Sequence, residues 1–181
     1  LELQQVPGLR TGFNSAVSGQ ASNAVTFTSL NEQGITLQRS FILDPDNYVL
    51  RITDLYVNDT VSPVSLPDHK IALGMVSQLA GVSSMYPTMG VDVYYQKKVT
   101  HFTKKIMKWL KKKEGPFETR SEIDAPVDWI CVKNKFFGHI LRVEEGDMGL
   151  PVGYDVYGRR SPEDKWPMHV SGSLIFSDTL F

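Results

Sequence analysis

The side chains that most often carry catalysis or bind metal ions are scattered along this chain. Its histidines are His69, His101, His139 and His169, and its single cysteine is Cys131. None of them falls at the short spacings at which zinc ligands recur, and no acidic cluster accompanies them. Cys131 lies inside an apolar run, which favours a buried thiol over a nucleophile. The sequence therefore predicts no metal site, no cofactor and no catalytic residue, and it places the histidines at the surface or in turns.

The acidic residues and glycines give no stronger indication of an enzyme. Glu122 with Asp124 and Glu144 with Glu145 form two carboxylate pairs. General acid–base chemistry needs such groups to converge in a cleft, and solvated surface acids are the simpler interpretation. The chain also has no glycine-rich phosphate loop and no Gly-x-Ser-x-Gly motif.

The strongest functional candidate by charge is the lysine-rich segment 97–113. Phe102, Ile106 and Trp109 recur there at helical spacing, and lysines occupy many of the other positions. A helix ended by Gly115-Pro116 and a basic hairpin arm both fit this pattern. The segment could lie on an anionic membrane with its rings at the interface, or it could pack its apolar stripe on the domain. The residues expected to face a membrane or a partner are Lys104, Lys105, Lys108, Trp109, Lys111 and Lys112.

The densest apolar stretch runs from residue 126 to residue 142. Trp129 and Cys131 alternate with other apolar residues, which is typical of a strand buried on both faces. Phe136 and Phe137 follow directly, and we expect Trp129 and Phe136 to belong to the core. The stretch is interpreted as structural, with Trp129, Lys133, Phe136 and Phe137 as its characteristic residues.

Composition is ordinary for a folded domain. Hydrophobic residues make up 41% of the 181 residues and charged residues 22%, so disorder is not expected. The net charge of −1 gives no reason to propose nucleic acid as a partner. No stretch approaches the roughly 20 apolar residues of a spanning helix. The sequence indicates a soluble domain, or a soluble piece of a longer chain.

The order of short alternating segments predicts an all-β fold. Residues 1–24 are rich in Gly, Ser, Asn and Gln and are expected to form an extended lead-in or loop. Residues 25–181 are expected to form one β-sandwich domain, because strand patterns follow one another with turn signals between them. In the first of these patterns Arg39 interrupts an apolar face, and in the next a change of phase suggests a bulge near Thr53-Asp54.

Three segments resemble one family in consistent order across residues 25 to 176. They are Ile35-Thr36-Leu37-Gln38-Arg39-Ser40-Phe41 with Asn47-Tyr48-Val49-Leu50-Arg51-Ile52 and Tyr56-Val57-Asn58; Asp128-Trp129-Ile130-Cys131-Val132-Lys133-Asn134-Lys135-Phe136-Phe137; and Val170-Ser171-Gly172-Ser173-Leu174. This pattern resembles the periplasmic domain of the bacterial membrane-protein insertase YidC.

The resemblance implies a β-supersandwich like that of galactose mutarotase, mostly antiparallel, with one or two short helices. It implies a place at the periplasmic face of the bacterial inner membrane, as part of a multi-pass protein. It also implies a non-enzymatic scaffold or partner-binding role, with the protein-export machinery and nascent membrane proteins as partners. The family's insertion chemistry lies in membrane helices that this sequence does not contain, so no insertase site residue carries over.

Two other functions remain open at the level of sequence. One is a carbohydrate-binding or aldose-epimerase-like periplasmic protein of the same fold, which would need an acid and a base converging on a sugar. The other is an unrelated all-β adhesin or lipoprotein domain.

Overall fold

The computed structural model describes residues 3–4, 14–16, 23–30, 34–66, 68–77, 89–112, 115–122, 125–144, 149–160, 168–177 and 179–180. Its elements in chain order are β1 (Leu3–Gln4), β2 (Asn14–Ala16), β3 (Ala24–Leu30), β4 (Ile35–Leu43), β5 (Leu50–Asn58), β6 (Ser65–Leu66), β7 (His69–Ser77), β8 (Gly90–Tyr95), β9 (Lys98–His101), α1 (Thr103–Lys112), β10 (Phe117–Glu122), β11 (Val127–Lys133), β12 (Gly138–Arg142), β13 (Gly153–Arg160), β14 (Met168–Phe176) and β15 (Thr179–Leu180). All strand pairs in these ranges are antiparallel.

The chain divides into two compact units. The larger unit comprises Leu1–Gln4 and Asp68–Ser177, and the smaller comprises Gln5–Pro67 and Asp178–Phe181. Strands β1 and β2 both lie within the segment that the sequence assigns to an extended lead-in. The expectation that residues 25–181 form a single domain stays a prediction.

The larger unit is a sandwich of two antiparallel sheets. One sheet has the order β1-β7-β14-β13-β10 and the other the order β12-β11-β8-β9. Strands β11 and β8 pack across the core on β14. The shared core contains fully buried Val93, Ile130, Val156 and Leu174, among others. The prediction of an all-β sandwich with mostly antiparallel strands is confirmed.

The lysine-rich segment contains the helix α1. Phe102, Ile106 and Leu110 recur at spacings of four and are 3%, 0% and 3% exposed, so this stripe is part of the core. The helix approaches β13 closely, because a Cβ built on Gly158 would lie 2.7 Å from Ile106 Cγ2. Of the two structures that fit the sequence, the helix is therefore the one formed.

The smaller unit contains the meander β2-β3-β4-β5 and the two-stranded pair β15-β6. Strands β4 and β5 pair without interruption from Ile35 opposite Asn58 to Leu43 opposite Leu50, so the bulge predicted near Thr53-Asp54 is wrong. The apolar residues of both phases are accommodated because Leu55 is simply exposed, at 52%.

The arginine that interrupts the apolar pattern of β4 is buried with a partner. Arg39 lies opposite Asp54 in the register and donates two hydrogen bonds to its carboxylate, from Nε at 2.6 Å and from Nη2 at 2.5 Å. Its side chain is only 3% exposed. A guanidinium is tolerated in such a place when a carboxylate satisfies it in this bidentate geometry.

Candidate partner-binding face

The four-stranded sheet of the larger unit, β12-β11-β8-β9, has one face on the core and a second, outer face that points away from it. Because side chains alternate along a strand, the neighbours of the inward Val91, Val93, Ile130 and Val132 point outward. The registers place two adjacent rows on this outer face. They are Arg142, Trp129, Tyr94 and Val99, and next to them Ile140, Cys131, Asp92 and His101.

A bulge in β11 directs Trp129 to the outer face. The register shifts between Val127 and Trp129, so Asp128 is an extra residue in the pairing with β8. This insertion lets Val127 and Ile130 both point into the core although they are three residues apart. Trp129 is then free to stack on Tyr94, with ring centroids 5.5 Å apart and planes inclined by 8°. Trp129 is therefore half-buried on the outer face and does not reach the core.

Asp92 holds the polar part of the outer face together. Its side chain is 8% exposed, and its Oδ1 lies 2.9 Å from His101 Nδ1. Its other oxygen accepts a hydrogen bond from Lys133 Nζ. Because both carboxylate oxygens are engaged, this group is built to keep Lys133 and His101 in place rather than to accept a proton from a substrate.

The thiol of Cys131 lies in the same row as Asp92, and it is 8% exposed. Burial raises its pKa; Lys133 opposes this shift and Asp92 adds to it. Since the thiolate is the reactive form, a raised pKa makes the thiol inert at neutral pH. The interpretation of Cys131 as a small buried side chain agrees with this environment.

The residues after β11 form an exposed turn that we call the aromatic turn (Asn134, Lys135, Phe136 and Phe137). Asn134 Oδ1 accepts hydrogen bonds from the backbone N–H groups of Phe136 and Phe137, both at 2.9 Å. Asn134 N donates to Phe137 O at 2.8 Å. Phe136 and Phe137 are 57% and 64% exposed, so the expectation that Phe136 belongs to the core is wrong. Asn134, which stands between two lysines, is the residue that indicates a turn in the sequence, since Asn side chains accept hydrogen bonds from backbone N–H groups in turns.

Strand β12 follows this turn and continues the exposed apolar surface. Among the described strands it is hydrogen-bonded only to β11, so it forms an edge of the sheet. Ile140 on this strand is 67% exposed. We refer to Phe136, Phe137 and Ile140 together as the aromatic edge. Edge strands with exposed apolar side chains are ready templates for pairing with another chain.

The helix α1 presents a separate, basic surface. Lys104, Lys105, Lys108 and Lys112 are exposed, while Trp109 is 42% exposed and donates from Nε1 to Pro116 O at 3.0 Å. The Lys111 side chain lies outside the described part of the structure. Phe102 and Leu110 are buried, so they are not available as interfacial rings or anchors. The apolar stripe packs on the domain and the lysines face solvent, as the second interpretation of this segment predicts.

Among the described residues, the remaining polar groups singled out in the sequence do not converge on a site. His69 is buried and stacks on Phe176 with centroids 5.0 Å apart, so its expected surface position is wrong. His169 Nδ1 lies 2.6 Å from Ser77 Oγ, and His139 is exposed. Within the described residues no group of three or more histidine, cysteine or acidic side chains is placed to hold a metal. Asp124, Glu145 and the Glu122 side chain lie outside the described residues.

Comparisons with known proteins give one family. The family model for the YidC periplasmic domain matches residues 7–141, which include the meander, the helix and the aromatic edge. No curated protein gives a significant match to the chain. In the part of the chain that is described, no helix combines the length and apolar character needed to span a membrane. The match covers well over half of the sequence, and the chain belongs to the YidC periplasmic domain family.

Proposed function

We propose that this chain is a non-enzymatic, partner-binding domain of a membrane-protein insertase, which holds extended polypeptide along its aromatic edge at the periplasmic face of the inner membrane. The family match supports the insertase and the periplasmic side of the membrane. The observation that supports the binding role is the exposure of Phe136, Phe137 and Ile140 beside a sheet edge that no other described strand pairs with.

The aromatic edge offers both parts of a strand-addition site. A peptide that pairs with β12 would gain main-chain hydrogen bonds on the side away from β11. Its apolar side chains would cover Phe137 and Ile140, and a phenylalanine buries roughly 150–250 Å² when fully enclosed. The turn is already ordered by the Asn134 side chain, so little conformational entropy is lost when Phe136 and Phe137 are covered.

Charge supports nascent membrane proteins as the occupant. Lys135 and Arg142 are exposed on either side of the aromatic edge along the chain, and Lys135 Nζ lies 5.4 Å from the centre of the Phe136 ring. Lysine and arginine are depleted in the short loops of membrane proteins on the side away from the cytoplasm. A basic rim therefore favours segments from that side, because these segments add little repulsion of their own.

The experiment measures binding of an extended apolar peptide, with few basic residues as in a periplasmic loop, to the 181-residue chain. We expect the triple variant Phe136→Ser, Phe137→Ser, Ile140→Thr to bind at least about tenfold more weakly, since exposed anchors of this kind dominate interfaces. The matched control replaces three exposed apolar residues of the smaller unit: Tyr48→Ser, Leu55→Thr and Val61→Ser.

Hydrogen exchange on the complex separates strand addition from loose hydrophobic contact. Pairing with β12 should slow exchange of amides in Gly138–Arg142, whereas the control strand β5 should be unaffected. Equal losses of affinity in both triple variants, or unchanged exchange in β12, would refute the proposed site.

A carbohydrate-binding role has one observation in its favour. The stacked Tyr94 and Trp129 rings lie beside Asp92 and His101, and ligand sites commonly combine aromatic surface with a few placed polar groups. The engagement of both Asp92 oxygens weakens this candidate. Calorimetric titration with galactose and glucose distinguishes it, and heat of binding at millimolar sugar would favour it over the polypeptide role.

A further inference from the structure

The lysine face of α1, which we define as Lys104, Lys105, Lys108 and Lys112, is shaped for a flat surface. At about 100° of rotation per residue, these four positions fall within an arc of about 100° on the helix. The buried Ile106 and Leu110 lie on the opposite side of the same helix. The four lysines span about 12 Å along the axis, at about 1.5 Å per residue. A single plane can therefore approach all of them at once.

These ammonium groups have no counter-ion in the described part of the protein. Among the described residues no carboxylate lies within ion-pairing distance of them, unlike Lys70 and Lys133, which pair with Asp155 and Asp92. The first turn of α1 has no acidic residue either. In the described part of the chain, Lys105 contacts a ring, its Nζ lying 4.9 Å from the centre of Phe102. With respect to the described residues the face thus carries uncompensated positive charge on a helix, although the chain as a whole is nearly neutral, with a net charge of −1.

We infer that the lysine face of α1 binds anionic phospholipid headgroups at the membrane surface. The family places the domain beside a bilayer, so such a surface is within reach. The contact is electrostatic, and the helix does not insert into the bilayer, because the apolar stripe of α1 is buried in the core of the domain. Trp109 lies at the border of the face and is 42% exposed, which suits a ring at the level of the headgroups.

The test is sedimentation of the 181-residue chain with vesicles of phosphatidylcholine alone or with about 30% phosphatidylglycerol. Binding should require the anionic lipid and should vanish near 1 M salt, where the screening length is about 3 Å. Each lysine near an anionic surface contributes about 1 kcal/mol, or roughly fivefold in partitioning. The variant Lys104→Gln, Lys108→Gln should therefore bind about 25-fold more weakly, and glutamine retains good helix propensity.

The matched control is Arg159→Gln, Arg160→Gln, which removes the same charge from exposed positions at the end of β13. It should change binding by no more than about twofold if the effect is local. Equal losses in the two double variants, or no binding to anionic vesicles, would overturn the inference. Competition by millimolar glycerol phosphate would do so as well, since it would indicate a site for a single phosphate rather than a surface. These outcomes are independent of peptide binding at the aromatic edge.

Discussion

The two sheets of the larger unit approach each other closely at Gly172 on β14. A Cβ built there would lie 2.7 Å from Ile130 Cδ1, and 3.2 Å from both Val132 Cγ2 and Val91 Cγ1. All three contacted side chains are completely buried in the facing sheet. Distances below 3.0 Å between such atoms require something to move, and the added atom would also press on the methyl groups of two buried valines. We predict that Gly172→Ala destabilises the protein by overpacking.

The size of the effect follows from two opposing contributions. An extra methyl group in a packed core costs about 1–3 kcal/mol. Replacing a glycine also restricts the unfolded chain, which stabilises the fold by about 0.4–1 kcal/mol. The net loss for Gly172→Ala is therefore about 1–2 kcal/mol, or a decrease in Tm of roughly 2–8 °C at about 2–4 °C per kcal/mol.

The assay compares thermal and urea unfolding of four variants, three single and one double, with the parent. Gly138→Ala is the matched control, because its Cβ would meet Cys131 Sγ and Lys133 Cβ at an ordinary 3.7 Å. It should leave the stability unchanged or raise it slightly. Ile130→Val removes the Cδ1 atom that collides, and costs about 0.5–1.5 kcal/mol alone. Combined with Gly172→Ala it should cost less than the sum of the two, since the sites are in contact.

Two results would refute this reasoning. If the Gly172→Ala variant were as stable as the parent, the two sheets would not be held at the described separation. Strict additivity with Ile130→Val would mean that the destabilisation comes from another contact than the one with Ile130 Cδ1.

Two further predictions concern the helix and the buried tyrosines. Ile106→Ala should cost about 2–5 kcal/mol because Ile106 is fully buried under α1, whereas half-exposed Trp109→Ala should cost distinctly less; equal losses in urea unfolding would contradict the described packing of the helix. Burial raises the pKa of both Tyr56 and Tyr154 above the usual value of 10.0. The folded chain then binds more protons than the unfolded chain at alkaline pH, so stability is fully present below about pH 10 and is lost as the pH rises above it. The urea concentration at the midpoint of unfolding should therefore decrease when the pH is raised from about 9 to about 11.5. The decrease should be smaller in the double variant Tyr56→Phe, Tyr154→Phe, and an identical decrease would show that other groups are responsible.

The residue pattern was sufficient to predict the fold class and the family. Alternation with a period of two predicts antiparallel strands because successive side chains point to opposite faces. The run from Asp128 to Phe137 carries the family resemblance, and the family match includes it. The helical spacing of Phe102, Ile106 and Trp109 left a helix and a basic hairpin arm open, and only the structure decided for α1.

The aromatic edge could not be predicted from the sequence, because the apolar character of a side chain does not reveal whether other residues cover it. Phe136 and Phe137 look like core residues in the sequence, yet the Asn134 side chain folds the backbone into a turn that leaves them in solvent. Their position at the edge of the sheet depends on which strands pair with β11. Strand β11 pairs with the adjacent β12 on one side, and on the other with β8, which is distant in the chain.

Sequence by itself determined that this chain forms an antiparallel sandwich, and that one segment concentrates positive charge. Both properties are local, since they depend on the alternation and composition of neighbouring residues. Only the tertiary structure decided which groups remain available to a partner. Arg39 is buried because the register places Asp54 opposite it, and Ile106 is buried because α1 packs on Gly158. The lysine face and the aromatic edge are among the surfaces that these long-range contacts leave exposed, and the proposed functions of the domain rest on those two surfaces.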